Sequence, residues 1–196
     1  NLRGISILAV LAFHIFPNAF PNAYLGVDIF FVISGYLVTL QLLKSREYRL
    51  GEYLSNFYFR RLKRIIPSAI SIIVLTLIVT YSLLGVVIFV QNLSDAAWAN
   101  AFMANWYYLK QNLNYFAARN LNLFQHYWSL AIEEQFYLVW PLIIFLFKRS
   151  KWPPLLVLIT SGALYIFSHY PASFYGSQNR AWELAAGSLL TINNKK

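Results

Sequence analysis

Residues Tyr127 to Phe147 read YWSLAIEEQFYLVWPLIIFLF, an apolar run of the length that a helix needs to cross a bilayer. The rest of the chain has the same character. Of its 196 residues, 59% are hydrophobic, 18% are aromatic and only 12% are charged. A soluble core of this size could not hide so much apolar surface. The composition therefore predicts a multi-pass membrane protein.

Further apolar runs predict an all-α transmembrane bundle with about six spans. Only helices or closed barrels satisfy backbone polar groups in lipid, and these runs are too long and too unalternating for barrel strands. The first two runs follow each other closely and lack a cleavage pattern, so they predict a retained hairpin. The predicted spans are 2–20, 25–43, 65–90, 127–147 and 152–167, with a short sixth at 181–192.

The basic residues predict the orientation of these spans. Lys and Arg are retained on the cytoplasmic side of short loops, so the segments that carry them are predicted to be cytoplasmic, as is the N-terminus. The net charge of +9 then reflects orientation and gives no reason to expect a nucleic-acid partner. Thirteen of the sixteen basic residues fall inside in this topology: Arg3, Lys44, Arg46, Arg49, Arg60, Arg61, Lys63, Arg64, Lys148, Arg149, Lys151, Lys195 and Lys196.

Two segments are predicted not to span the membrane. Residues 44–64 predict a cytoplasmic basic amphipathic segment. Within it, residues 51–64 carry aromatic and basic side chains and predict an amphipathic helix against anionic lipid headgroups, with Pro67 starting the next span. Residues 91–126 predict an extracytoplasmic or interfacial segment, because 96–109 is only moderately apolar and is rich in Trp and Tyr. We treat 1–196 as one transmembrane domain and, since Asn1 opens it, expect it to be the N-terminal part of a larger one.

Polar residues within the spans are the candidates for function, because ionisable groups are costly in lipid. Arg3 and His14 are eleven positions apart, which places them on one helix face about 16 Å apart along the axis. We expect Arg3 at the cytoplasmic mouth, holding an anion, and His14 further out as a titratable base. The alternative is that Arg3 is a membrane anchor and His14 an interfacial histidine.

Four more polar groups form two pairs of candidates. The carboxylates of Glu133 and Glu134 point about 100° apart on one helix, so we expect one to line a cavity and the other to pair with a basic residue or a helix end. Arg180 and Glu183 are three residues apart and can bridge one another, with plain stabilisation as the alternative.

The second predicted span carries Asp28 near its outer end and, further along, Ser34 and Gly35. The glycine would let another helix approach closely. Asp28 is either part of the site or a helix cap, and Ser34 and Gly35 either line a cavity or serve packing. Cysteine chemistry is excluded, since the chain has no Cys, and the three His residues lack the spacing of a metal site.

Taken together, five motifs resemble successive signatures of the acyltransferase 3 family, in its order and over nearly the whole chain. These are Arg3-Gly4 through His14; Leu25-Gly26-Val27-Asp28 to Ser34-Gly35-Tyr36-Leu37; Phe59 to Pro67 with its basic residues; His126-Tyr127-Trp128-Ser129-Leu130 to Trp140-Pro141; and Arg180-Ala181-Trp182-Glu183-Leu184 with Gly187.

The resemblance implies an integral membrane O-acyltransferase of the bacterial cytoplasmic membrane. It would move an acyl group, most often acetyl, from cytoplasmic acyl-CoA to a hydroxyl of an envelope polysaccharide or glycolipid, with no bound cofactor. His14 would be the catalytic base and Arg3 would order the donor. Arg60, Arg61 and Arg64 would attract the nucleotide end of CoA. Roles in shaping the cavity or orienting the base fall to Asp28, Ser34, Gly35, Ser129, Glu133, Glu134, Arg180 and Glu183.

Two other classes of function fit the intramembrane charges. A transporter or exporter would use them as an ion or substrate path, although no inverted repeat is evident. A non-catalytic membrane scaffold would use them only to assemble helices. Members of the resembled family usually have about ten spans, so this chain alone is expected to lack helices that wall the cavity.

Overall fold

The computed structural model describes residues 2–45, 49–115 and 122–194, which form helices joined by turns and short loops, with no strand in these ranges. The helices are α1 (Leu2–Ile15), α2 (Gly26–Lys44), α3 (Leu50–Val79), α4 (Val86–Asn100), α5 (Ala104–Lys110), α6 (Tyr127–Phe147), α7 (Trp152–Phe167), α8 (Ala172–Tyr175) and α9 (Ser177–Asn193). The all-α prediction is confirmed. Arg46, Lys195 and Lys196 of the predicted cytoplasmic set, and part of the predicted segment 91–126, lie outside the described residues.

Among the described residues, three helical stretches are long and apolar enough to cross a membrane: Ala23–Lys44, Leu50–Leu84 and Tyr127–Phe147. Helices α1 and α7 are shorter apolar helices. The predicted spans 25–43, 127–147 and 152–167 match α2, α6 and α7 almost residue for residue, because each is a long and predominantly apolar run. The chain is a multi-pass membrane protein, and the predicted sixth span lies within α9.

The region around the third predicted span differs from the prediction. Pro67 does not start a helix but lies inside α3, which begins at Leu50, so residues 50–64 continue into the span. The Ser68 hydroxyl donates to the Ile65 carbonyl at 3.0 Å, a local bond of the kind that helps a helix to accept proline in lipid. After a π-helical turn at Thr80–Leu84 the helix stops at Gly85, whose φ of 85° favours glycine. The predicted span 65–90 is therefore wrong at its C-terminal end.

Within the predicted interfacial segment, the moderately apolar stretch 96–109 forms parts of two helices and not one continuous helix. A reverse turn at Phe102, with a φ of 54°, separates α4 from α5. The Met103 N–H donates to the Trp98 carbonyl at 3.0 Å, a bond that closes the end of a helix over a left-handed residue. No glycine marks this turn, and the apolar pattern therefore predicted continuity.

The chain divides into two compact units. The first comprises Asn1–Arg46, Leu142–Phe167 and Gln178–Lys196, and the second comprises Glu47–Pro141 and Ser168–Ser177. In the first unit α1 packs antiparallel to α2, and α9 runs parallel to α2. In the second unit α3 and α6 are antiparallel, since the Tyr58 and Tyr127 hydroxyls donate to the Leu138 and Ala69 carbonyls.

Candidate active site

Arg3, on α1 in the first unit, is held against α2. Its Nη2 donates to the buried Ser34 hydroxyl, and its guanidinium lies 4.8 Å from the centroid of the Phe30 ring. Ser34 and Phe30 are one helical turn apart, so they present a single face to the arginine. The structure therefore brings together Arg3 and Ser34, two of the predicted site residues.

Arg3 lies part-way along α2. Ser34 lies ten residues before the end of α2 at Lys44, so about 15 Å of helix extends beyond the arginine. The placement of Arg3 at the cytoplasmic mouth stays a prediction.

His14, near the other end of α1, has a defined ring orientation. Its Nδ1 lies 2.8 Å from the Val10 carbonyl oxygen, one turn earlier. A carbonyl only accepts, so this contact assigns the proton to Nδ1 and the lone pair to Nε2. The His14 side chain is exposed within the first unit. This is the tautomer that a base acting through Nε2 requires.

A buried ion cluster joins α2 to α9. Arg180 pairs through Nη1 with Glu183 at 3.1 Å, the predicted pair, and through Nη2 with Asp28 of α2. The side chains of Arg180 and Glu183 are 4% and 0% exposed, and that of Asp28 is 28% exposed. The Asp28 contact links positions 152 residues apart, and no spacing in the sequence pointed to it.

Gly35 permits the close helix approach that was predicted for it. A Cβ at Gly35 would overlap the Leu184 carbonyl of α9, and a Cβ at Gly187 would overlap the Val32 carbonyl of α2. Polar side chains reinforce this contact, as the Thr39 hydroxyl donates to Ser188 Oγ at 2.9 Å. Glycines and hydroxyls are typical of helix contacts in membranes, where backbones approach closely.

Glu133 and Glu134, in the second unit, have different partners. Glu133 is 4% exposed and accepts a hydrogen bond from the Tyr137 hydroxyl, one turn later on α6. Glu134 pairs with Arg61 of α3, its Oε1 lying 3.8 Å from Nη1. Glu134 is thus the carboxylate that pairs with a basic residue, as expected of one of the two. Sequence reasoning missed Tyr137, although its i+4 spacing from Glu133 was visible.

The three arginines predicted to bind the donor are not equivalent. The Arg61 side chain is 10% exposed and lies between Glu134 and the Tyr137 ring, whose centroid is 3.6 Å from the guanidinium. Arg60 and Arg64 are exposed, and Arg60 Nε donates to the Asn56 carbonyl of its own helix. Of the three arginines, Arg60 and Arg64 present their charge at the surface of the second unit.

The second unit also contains a polar network that sequence reasoning missed. Gln135 Nε2 donates to Asn105 Oδ1 at 2.9 Å, and Gln135 Oε1 accepts from Ser177 at 2.5 Å and from Trp106 at 3.0 Å. Asn105 in turn donates to Ser177 Oγ. The predicted Ser129 lies in the first turn of α6, where its hydroxyl donates to the His126 carbonyl at 3.2 Å.

The predicted site residues therefore fall into two sets. The first unit holds Arg3, His14, Asp28, Ser34, Gly35, Arg180 and Glu183, and the second holds Arg60, Arg61, Arg64, Ser129, Glu133 and Glu134. No group of three or more His, Asp or Glu side chains that could hold a metal ion occurs among residues 2–45, 49–115 and 122–194.

An integral membrane helix bundle with these motifs defines a class, and comparison with known proteins identifies it. The family model described as an acyltransferase domain matches residues 1–194. The chain belongs to the acyltransferase 3 family.

Curated relatives carry related names. The chain is 37% identical to the peptidoglycan O-acetyltransferase OatA of Listeria monocytogenes over 206 residues, covering 98% of this chain and 33% of the relative. It is 36% identical to the O-acetyltransferase OatA of Staphylococcus aureus over 204 residues, covering 98% of this chain and 34% of that protein. The chain thus spans about a third of the length of these relatives. No solved structure matches it.

Proposed function

We propose that the full-length protein is a membrane O-acetyltransferase that moves acetyl from cytoplasmic acetyl-CoA to a hydroxyl of an envelope glycan. Membership of the acyltransferase 3 family supports the reaction class. The names of the relatives favour peptidoglycan as the acceptor. The proposed location is the bacterial cytoplasmic membrane with the N-terminus inside, which the distribution of basic residues favours.

The orientation of His14 is the observation that carries the proposed mechanism. With its proton on Nδ1, directed at the Val10 carbonyl, the ring offers Nε2 as a base. Nε2 takes the proton of the acceptor hydroxyl while that oxygen attacks the thioester carbonyl. General-base catalysis of this kind contributes about 10²–10⁴-fold.

The second half of the reaction returns the proton. The tetrahedral intermediate collapses, the C–S bond breaks, and the imidazolium gives its proton to the departing thiolate, so that free CoA and the O-acetyl ester are formed. Arg3, held by Ser34 and Phe30, orders the donor through its charge. Arg60 and Arg64 attract the phosphates of CoA from the exposed face of α3.

The Asp28–Arg180–Glu183 cluster then serves as a polar support within the first unit, and Glu133 and Glu134 serve as polar supports within the second. Their burial and mutual pairing favour orientation of the site over direct contact with the reacting atoms.

Release of CoA by the purified full-length protein tests this function. With acetyl-CoA and peptidoglycan fragments supplied together, free thiol should appear in step with an acetyl mass increment on the glycan. Omission of the glycan should suppress both signals. A transporter or a scaffold would leave acetyl-CoA intact and the glycan unmodified, and that result would refute the proposal.

A further inference from the structure

Arg61 stands apart from the basic residues on either side of it along α3. It follows Tyr53 and Phe57 at successive intervals of four, and both of those rings are buried, with 4% and 2% exposure. Residues four apart share a helix face, so Arg61 continues the buried face of α3. Arg60 and Arg64 are exposed instead. The basic residues of this stretch therefore lie in two different environments, with Arg61 on the buried face of α3 and Arg60 and Arg64 on its exposed surface.

The charge and the flat face of Arg61 are both engaged within the second unit. Its guanidinium carbon lies 3.6 Å from the centroid of the Tyr137 ring and 5.5 Å from that of Phe57. Its Nη1 lies 3.8 Å from Glu134 Oε1, which balances the charge. A stacked, paired guanidinium has less to offer a phosphate than an exposed one, because a phosphate would have to displace these partners.

Through Tyr137 the contact reaches a second carboxylate. The Tyr137 side chain is 1% exposed, and its hydroxyl donates to Glu133 Oε1. Arg61 packs on the face of the same ring. Guanidinium, phenol and carboxylate thus form one chain of contacts from α3 to Glu133. The packing on the ring fixes its rotamer, and the rotamer fixes which oxygen of Glu133 receives the hydroxyl.

We propose that Arg61 is a positioning residue that orients Glu133 through Tyr137, and that Arg60 and Arg64 alone of the three arginines contact the donor. This inference rests on the proposed function. The basic motif thus contains residues with two different roles, one that positions Glu133 and others that bind the donor. Loss of Arg61 should lower turnover while donor affinity is kept, whereas loss of Arg60 or Arg64 should do the reverse.

Steady-state kinetics of the full-length protein in detergent distinguish these roles. Arg61→Gln should lower kcat at least about 10-fold with the KM for acetyl-CoA within about 2-fold, because orientation and not binding is lost. The matched variant Arg64→Gln should raise KM several-fold and leave kcat within about 2-fold of the parent. An Arg61→Gln protein whose KM rises and whose kcat is unchanged, as for Arg64→Gln, would overturn the proposal.

Tyr137→Phe provides the second variant, and it is nearly isosteric. It keeps the ring under the guanidinium but removes the hydroxyl that reaches Glu133. Its kcat should fall as far as that of Arg61→Gln, and the double variant should be no slower than the slower single one. A Tyr137→Phe protein with parental kcat would show that the route through the hydroxyl is not used.

Two measurements do not depend on turnover. In titration calorimetry, Arg61→Gln should bind coenzyme A within about 2-fold of the parent, and Arg64→Gln should bind it several-fold more weakly, because Arg64 and not Arg61 contacts the phosphates. In thermal unfolding, Arg61→Gln and Tyr137→Phe should be non-additive, because both disturb the same chain of contacts to Glu133. Additive effects, or equal loss of binding in both arginine variants, would contradict the positioning role even if the parent released no CoA. A silent parent would refute the proposed function separately.

Discussion

Arg180 of α9 pairs with Asp28 of α2, two side chains that are 152 positions apart in the sequence. Arg180 is 4% exposed and also pairs with Glu183, which is fully buried. One guanidinium therefore balances two carboxylates and ties α9 to α2 inside an apolar bundle.

Removing this guanidinium should destabilise the protein strongly. Arg180→Gln leaves Glu183 buried without its cation, a change that typically costs about 3–5 kcal/mol. We expect a loss of stability near the lower of these two values, because Asp28 is partly exposed and solvent can screen its charge. Thermal unfolding in one fixed detergent measures the loss. Arg149→Gln, at an exposed position, is the control and should stay near the parental stability. Equal melting temperatures for Arg180→Gln and the control would contradict a structural role for the pair.

The contact between α2 and α9 should not tolerate a methyl group at its glycines. Gly35→Ala and Gly187→Ala each place a Cβ onto a backbone carbonyl of the facing helix, which cannot rotate away. Overpacking of this kind costs about 1–3 kcal/mol. Gly162→Ala on α7 is the matched control, since nothing lies within 4 Å of its Cβ position. It should be neutral or stabilising, because alanine is the better helix former. A control variant that unfolds as early as the other two would overturn the steric explanation.

The predicted topology can be read from thiol labelling in intact cells. The chain has no cysteine, so each introduced one reports its own position. Cysteines at Ser45 and Ser150 should be shielded from an impermeant reagent, while those at Asn112 and Ser173 should be labelled. Permeabilised cells provide the control, in which all four should react. Labelling at Ser45 together with protection at Asn112 would reverse the orientation.

The ends of the helices show how far the sequence could predict the fold. Helix α6 was predicted to the residue, and α2 to within one, because the length of a predominantly apolar run suffices to define a span. Pro67 misled the prediction, since a proline signals a helix start in water but is tolerated inside a helix in lipid. The turn at Phe102 carried no glycine and was missed.

The candidate site was predictable only where its contacts are local. The Arg180–Glu183 pair follows from a three-residue interval on one helix. The buried face of Arg61 was equally visible in its spacing from Tyr53 and Phe57, but the basic residues around it suggested a common role. The Asp28–Arg180 and Arg61–Glu134 pairs depend on which helices pack together, which periodicity within one helix does not encode.

Asp95 should make stability depend on pH. Burial raises the pKa of its carboxyl, and hydrogen bonds from Tyr108 and Tyr107 oppose part of that effect. Between the ordinary value of 3.8 and the raised one, the folded state holds more protons than the unfolded chain. Stability therefore falls as pH rises through this window. Stability should fall less with rising pH in Asp95→Asn, whose amide oxygen can still accept a hydrogen bond from Tyr108. Melting curves across acidic pH test this, and parallel profiles for both proteins would exclude Asp95 as the cause.

His14 should be the base on which acetyl transfer depends in the full-length protein. Gln at this position keeps polarity and approximate size but lacks a basic nitrogen, so His14→Gln should reduce kcat at least about 100-fold. Donor binding should be nearly unchanged, because the imidazole acts on the proton of the acceptor hydroxyl and not on CoA. Arg3→Gln should instead raise the acetyl-CoA requirement, since its guanidinium orders the donor. His169→Gln makes the same change at another exposed histidine and should transfer acetyl at the parental rate. If correctly inserted His14→Gln protein also transferred acetyl at the parental rate, His14 would be structural. The buried Glu133 would then become the stronger candidate for the base.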